Sequence, residues 1–142
     1  GMHGAGHWAR VRIKGLRLAE STGADIRVVE AFAFLHDSCR WSDGNDLDHG
    51  PRAADFAAEI NDEVLGLDHP ALMDLQEACT FHTCGGITHA SVTVLTCWDA
   101  DRLDLGRVGR MPRAEYLCTD VARDPEMIRW AYARSLGEEP EP

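Results

Sequence analysis

The sequence predicts an all-α protein, a compact bundle of about six to seven helices. Three observations carry that prediction. Apolar residues recur at helical spacing through most of the chain. Asp or Pro opens the periodic segments and Gly closes them, at the positions where helices start and stop. No convincing strand-turn-strand pattern and no internal repeat interrupts this order. With 142 residues the chain can bury one sizeable core but not two comfortable ones, so residues 2–137 read as a single domain.

The elements follow in order. His7 to Glu20 carries Val11, Leu16 and Leu18 and ends at "STG", where Gly23 supplies a positive φ. Asp25 is the expected N-cap of the next helix, "IRVVEAFAFLHD". From Val28 to Leu35 only Glu30 is polar, which predicts a central helix buried on most sides. "RWSDGNDLDHG" is a loop by composition, and Pro51 suits the first turn of a third helix, "RAADFAAEINDEVLGL", stopped near Gly66. Pro70 begins a fourth, "ALMDLQEACTFHT", ending at "CGG". "SVTVLTCWDADRLDLGRVG" starts ambiguously, since Val92 to Thr96 alternates and is β-branched, and continues as helix. Pro112 and Pro125 each open a further short helix, the last being "EMIRWAYARSL". The acidic, proline-broken "GEEPEP" reads as a disordered tail, and Gly1 ahead of Met2 as a tag-cleavage scar.

Composition narrows the function. A net charge of −10 repels a phosphate backbone, so an extended nucleic-acid surface is not expected. A small phosphorylated substrate is compatible if a metal reverses the sign locally. Five cysteines make an odd count without a CxxC pair, which points to buried free thiols rather than disulfides or a thiolate zinc site. No apolar run has the length of a membrane span and no secretory leader opens the chain, so a cytoplasmic protein is expected. A homodimer follows only from the frequency of such assemblies.

The most apolar run, "AFAFLHDSCR", ends in His36-Asp37. A carboxylate at the edge of a core is costly unless something compensates its charge. Either this is a helix end reaching solvent or a cation meets it. His3, His7, His36, His49 and His82 all lie at or near predicted helix ends or turns, where bundle metal sites are built. His69 and His89 read as surface residues. "CWDADRLDLGR" adds Asp99, Asp101 and Asp104 beside Trp98, Leu103 and Leu105. Crowded carboxylates repel at low dielectric, and a divalent cation converts that repulsion into ligation. Imidazole with carboxylate suits zinc, manganese or iron; magnesium, cobalt and nickel are not distinguished. Trp8 and Trp98 adjoin these residues as candidate pocket walls, although large apolar side chains belong more often to cores, and Trp41 lies in the loop after His36-Asp37.

His7 in "HWARV", His36-Asp37 after an apolar helix and Asp101 in "DADRLD" together resemble the HD superfamily of metal-dependent phosphohydrolases, over roughly residues 3 to 110. The resemblance implies an all-helical core and His7, His36, Asp37 and Asp101 as ligands of a divalent metal, with Asp99 the alternative for the last place. It implies Asp37 as a catalytic residue. Extra histidines hold a second metal in some members, and His49 and His82 fall in the corresponding interval; His3 is a further pocket candidate. The activity implied is hydrolysis of a nucleotide or other small phosphoester by a metal-activated water. Arg10, Lys14, Arg40 and Arg102 are the candidate phosphate cations. Further acids often follow the His-Asp pair in nucleotide-cleaving members, whereas "SCRW" stands here; Asp43 and Asp46 in the next loop are candidate substitutes, and the general acid is unassigned. Two other functions fit the same residues: a metal-stapled binding or regulatory module, and a di-iron oxygenase that would need His49 and His82 as ligands.

Overall fold

The computed structural model describes residues 5–40, 46–83, 85–87 and 90–137. Capping residues set most of its boundaries. The first helix, α1 (Ala5–Thr22), stops where Gly23 enters the left-handed region at φ 75°. Asp25 caps α2 (Ile26–Leu35), its carboxylate accepting the Arg27 amide at 3.0 Å. Next comes α3 (His49–Ile60), with Pro51 in its first turn. Asp68 accepts from the Ala71 amide to open α4 (His69–Phe81), with Pro70 again at the start. Ser91 caps α5 (Val92–Arg102) through the Val94 amide. Two 3-10 turns, Leu105–Val108 and Ala114–Tyr116, lead to α6 (Asp120–Arg123), capped by Thr119, and α7 (Pro125–Ser135), capped by Asp124. Among the described residues every regular element is helical, so the all-α bundle holds.

One ambiguity is settled and three local expectations are corrected. The β-branched run at Val92–Thr96 is helix, because the Ser91 hydroxyl supplies a cap that its alternating pattern does not reveal. The helix expected to run past "DADRLD" ends at Arg102 and continues only as a 3-10 turn. The third helix starts at His49, two residues ahead of Pro51, and widens at Asn61–Leu65 into a π turn closed by left-handed Gly66. Pro112 opens no α-helix; a three-residue 3-10 turn follows it. The tail beyond residue 137 lies outside the described residues.

Helix α2 is the pillar. Val28, Val29, Phe32 and Ala33 are fully or almost fully buried, and α1, α4 and α5 all pack on it. The pair α3 and α4 forms the other closely packed unit. Four of the five cysteines are described, and all are free thiols, with Cys79 and Cys97 in the core. No described helix is long and apolar enough to cross a membrane.

Two glycines let helices approach closely enough to bring their ends together. A methyl at Gly15 would lie 2.5 Å from Val29 Cγ1 and 3.4 Å from an Ala100 methyl, so α1 sits against both α2 and α5 only because this position is bare. At Gly50 a methyl would lie 2.9 Å from the Thr80 carbonyl oxygen and closer still to that of Cys79. Backbone cannot yield as a side chain can. Gly50→Ala should therefore destabilise the metal-free protein by about 1–3 kcal/mol in urea unfolding. Gly86→Ala, which meets open space, should leave the urea midpoint nearly unchanged.

Candidate metal centre

Five helices deliver one functional side chain or pair each, all near an end. His7 is the third residue of α1, His36 and Asp37 follow the last turn of α2, and His49 is the first residue of α3. His82 follows α4, and Asp101 is the penultimate residue of α5. Their side chains converge. Those of His7, His36, Asp37, His49 and His82 are 0–3% exposed, and that of Asp101 14%.

The distances describe two abutting groups that share one carboxylate. In the first, His7 Nε2 lies 3.1 Å from His36 Nε2 and 3.2 Å from Asp101 Oδ1, while His36 Nε2 lies 3.4 Å from that oxygen. Asp37 Oδ2 completes it, 3.6 Å from His7 Nε2 and 3.5 Å from His36 Nε2. In the second, Asp37 Oδ1 lies 3.1 Å from His49 Nε2 and 3.4 Å from His82 Nε2, and the two imidazole nitrogens are 2.9 Å apart. The two oxygens of Asp37 thus face opposite groups.

The tautomers follow from the other ring nitrogens. His36 Nδ1 donates to the Phe32 carbonyl at 2.9 Å and His82 Nδ1 to the Cys79 carbonyl at 2.8 Å. His49 Nδ1 donates to the Asp46 carbonyl, and His7 Nδ1 to Asp104 Oδ2 at 2.7 Å. Carbonyls and carboxylates accept only, so each Nδ1 carries a proton, and in the neutral rings that metal ligation requires every Nε2 presents a lone pair inward. Two pairs of lone pairs near 3 Å, with carboxylate oxygens beside them, repel unless a cation stands among them. Ligand atoms on metal–nitrogen and metal–oxygen bonds of about 2.1 Å lie roughly 3.0–3.5 Å from one another, which matches these separations. Asp101 Oδ1 supplies a second indication: it is buried and accepts no hydrogen bond among the described residues. The residues therefore fit a divalent metal, and both groups could hold one. A nitrogen and oxygen donor set without thiolate suits manganese, iron or zinc.

Asp104 is the residue that sequence reasoning left without a role. It is fully buried and accepts from His7 Nδ1, from Arg10 Nε at 2.8 Å, from Lys14 Nζ at 2.7 Å and from the Ser135 hydroxyl at 2.7 Å. It fixes the ring of His7 and enriches its inward nitrogen. Its signal was present as the i, i+3 spacing to Asp101. Through Ser135 it also ties α7 to the metal-facing end of α1.

Three of the four candidate phosphate cations are engaged within the fold. Lys14 is fully buried, donating to Asp104, Ser135 and the Leu103 carbonyl, and burial brings its ammonium down to about 8. Arg10 is turned to Asp104. Arg102 donates to the carbonyls of Gly85, Gly86 and Tyr116, pinning the loop after α4 to the chain ahead of α6. Of the four, Arg40 stands at the centre, its Nη1 3.0 Å from His49 Nε2, 3.1 Å from His49 Nδ1 and 3.8 Å from Asp37 Oδ1.

The remaining candidates are placed as follows. Asp99 points away from the metal groups: it accepts from the Cys118 and Thr119 amides at 2.7 and 2.9 Å and from the Thr119 hydroxyl at 2.7 Å. Two residues on a helix are about 200° apart, so Asp99 and Asp101 cannot share a site. Of the two, it is Asp101 whose carboxylate reaches His7 and His36. Asp46 is held by a bidentate pair with Arg52 at 2.7–2.8 Å, which engages both its oxygens. Trp98 is core, donating to the Ala78 carbonyl, and His69 is exposed. Trp8 is half-buried on α1. His3, Trp41, Asp43, Cys84 and His89 lie outside the described residues.

Burial alone would raise the carboxyls of Asp37, Asp101 and Asp104, yet all three are held below the usual range. At Asp37 and Asp101 burial is outweighed by positive charge and N–H donation from the facing histidine rings, the part a metal cation would otherwise take; His7, Arg10 and Lys14 outweigh it at Asp104. A carboxyl depressed in the fold binds fewer protons there than in the unfolded chain. Its stabilisation is therefore present above the unfolded value of about 3.9 and is lost as pH falls through the lower folded value. Asp104→Asn should cost about 3–5 kcal/mol at pH 7 in metal-free urea unfolding, because its cations are left buried and unpaired. The gap from the parent protein should narrow below pH 4.

Compared with protein-family models, with curated proteins and with solved structures, the chain matches none.

Proposed function

We propose that this chain is a metal-dependent phosphohydrolase of the HD type, acting on a nucleotide or similar small phosphoester at a centre bridged by Asp37. One observation supports this most: six side chains in the order His, His-Asp, His, His, Asp bring every donor atom to one buried point. They are His7, His36, Asp37, His49, His82 and Asp101. When bound, divalent metal supplies an acidified water and neutralises phosphoryl charge.

The residues have distinct tasks in this reading. Asp37 joins the two groups through its two oxygens and fixes their separation. The four Nδ1 hydrogen bonds hold the imidazoles in their ligating tautomer, with His7 backed by a full carboxylate charge. Asp101, the most exposed of the six, marks the side from which a ligand reaches the centre. Arg40 is the cation that meets phosphoryl oxygens, since of the four candidates it is the one beside His49 and Asp37. Asp46 is a poor proton donor while both its oxygens serve Arg52.

Turnover of a phosphomonoester and phosphodiester panel by metal-reconstituted protein tests the proposal. Hydrolysis is expected, and Asp37→Ala should abolish it, by at least 10³-fold, with the helical circular dichroism largely kept. Loss of both groups' shared ligand should remove the metal as well. A reconstituted protein inert on the whole panel would overturn the phosphohydrolase reading.

A second reading draws support from one specific feature. The approach of His49 and His82 to Asp37 completes the ligand set that a di-iron oxygenase needs. Dioxygen uptake by iron-loaded protein, with no phosphate release, would select it. Metal-raised melting without either reaction would select a metal-stapled binding module.

A further inference from the structure

The two metal groups are chemically unequal, and the inequality turns on Arg40. The first group offers two imidazoles, Asp101 and Asp37 Oδ2, and its His7 is backed by Asp104. The second offers two imidazoles and Asp37 Oδ1 alone. Its histidines rest on backbone carbonyls, which carry no net charge. Arg40 Nη1 lies 3.0 Å from His49 Nε2 and 3.1 Å from His49 Nδ1, so the guanidinium rests against this imidazole, and it is 3.8 Å from Asp37 Oδ1. His49 Nε2 and Asp37 Oδ1 are donors that a second ion requires. Arg40 thus already places a positive charge beside them.

We propose that the two positions load in sequence, the second ion being held off by Arg40 until an anionic ligand draws the guanidinium away. Guanidinium and dication repel at this range. A phosphate oxygen is a better partner for arginine than a neutral imidazole, and it accepts two parallel N–H bonds. Ligand binding and second-metal binding then reinforce each other, and by linkage the effect is equal in both directions. The second position is a substrate-dependent one, and the chain resists closing it prematurely. This inference rests on the metal-centre part of the proposed function but not on phosphoester turnover.

Manganese titration of the metal-free full chain, followed by the electron paramagnetic resonance of free ion, tests it. One tight equivalent is expected, with a second at least about tenfold weaker, and inorganic phosphate should strengthen the second by tenfold or more. Arg40→Gln should tighten the second position without phosphate and erase the phosphate effect, and Arg40→Lys should keep part of it. Asp104→Asn should weaken the first position 10- to 100-fold, as loss of a ligand's supporting carboxylate does. Two equal equivalents, a single equivalent even with phosphate, or an Arg40→Gln protein that titrates like the parent would overturn the inference. Absence of any bound ion would overturn the metal centre itself. Loading as described without phosphoester turnover would leave this inference standing and reject the hydrolase.

Discussion

Everything in this molecule is arranged around a repulsion. Four imidazole lone pairs and the oxygens of Asp37 and Asp101 are directed at one another in a space almost closed to water. Folded without a cation, such a centre is held together by the scaffold against its own electrostatics. With one, the same atoms become ligands. The adjacent His36-Asp37 stands at the end of the apolar second helix: the core rigidly carries a charge to its own edge, where a cation would offset the desolvation.

The scaffold supplies that rigidity in three ways. Bare positions at Gly15 and Gly50 let α1 meet α2 and α5, and let the start of α3 meet the end of α4. Backbone carbonyls from the last turns of α2 and α4 fix the rings of His36 and His82, so the helices themselves orient their terminal histidines. Asp104 gathers His7, Arg10, Lys14 and Ser135 at one buried carboxylate, which locks α1, the turn after α5 and α7 into register. A buried charge of this kind contributes little net stability, but it specifies one arrangement. Here the specified arrangement is the direction of His7.

Much of this was legible in the sequence, and the reasons are local. Asp25 and the Pro51 and Pro70 starts are short-range signals, and the chain obeys them. His36 and Asp37 stood out as a polar pair closing an apolar run and Asp101 as one of three crowded acids, whereas His7 was marked by its place at a helix start and joined to them only by the resemblance. The separation of Asp99 from Asp101 needed only helical geometry. Other features depended on distant partners. Lys14 and Arg10 look like surface cations until Asp104 is brought beside them from the far side of the chain, and Arg102 looks free until the loop after α4 folds onto it. The Ser91 cap overrode the β-branched pattern after it. The π turn at Asn61–Leu65 has no marker except the glycine that ends it. His49 and His82 were candidates by position, but that they would share one carboxylate with His36 was a property of the packing.

Metal content measured on the protein as isolated, without chelator or nickel resin, tests the central claim most directly. One or two equivalents of manganese, iron, zinc or a similar divalent ion per chain, lost together in His36→Ala, is the predicted result. No bound metal, even after each ion is added in turn, would contradict the account and leave the convergence of these side chains without its cation.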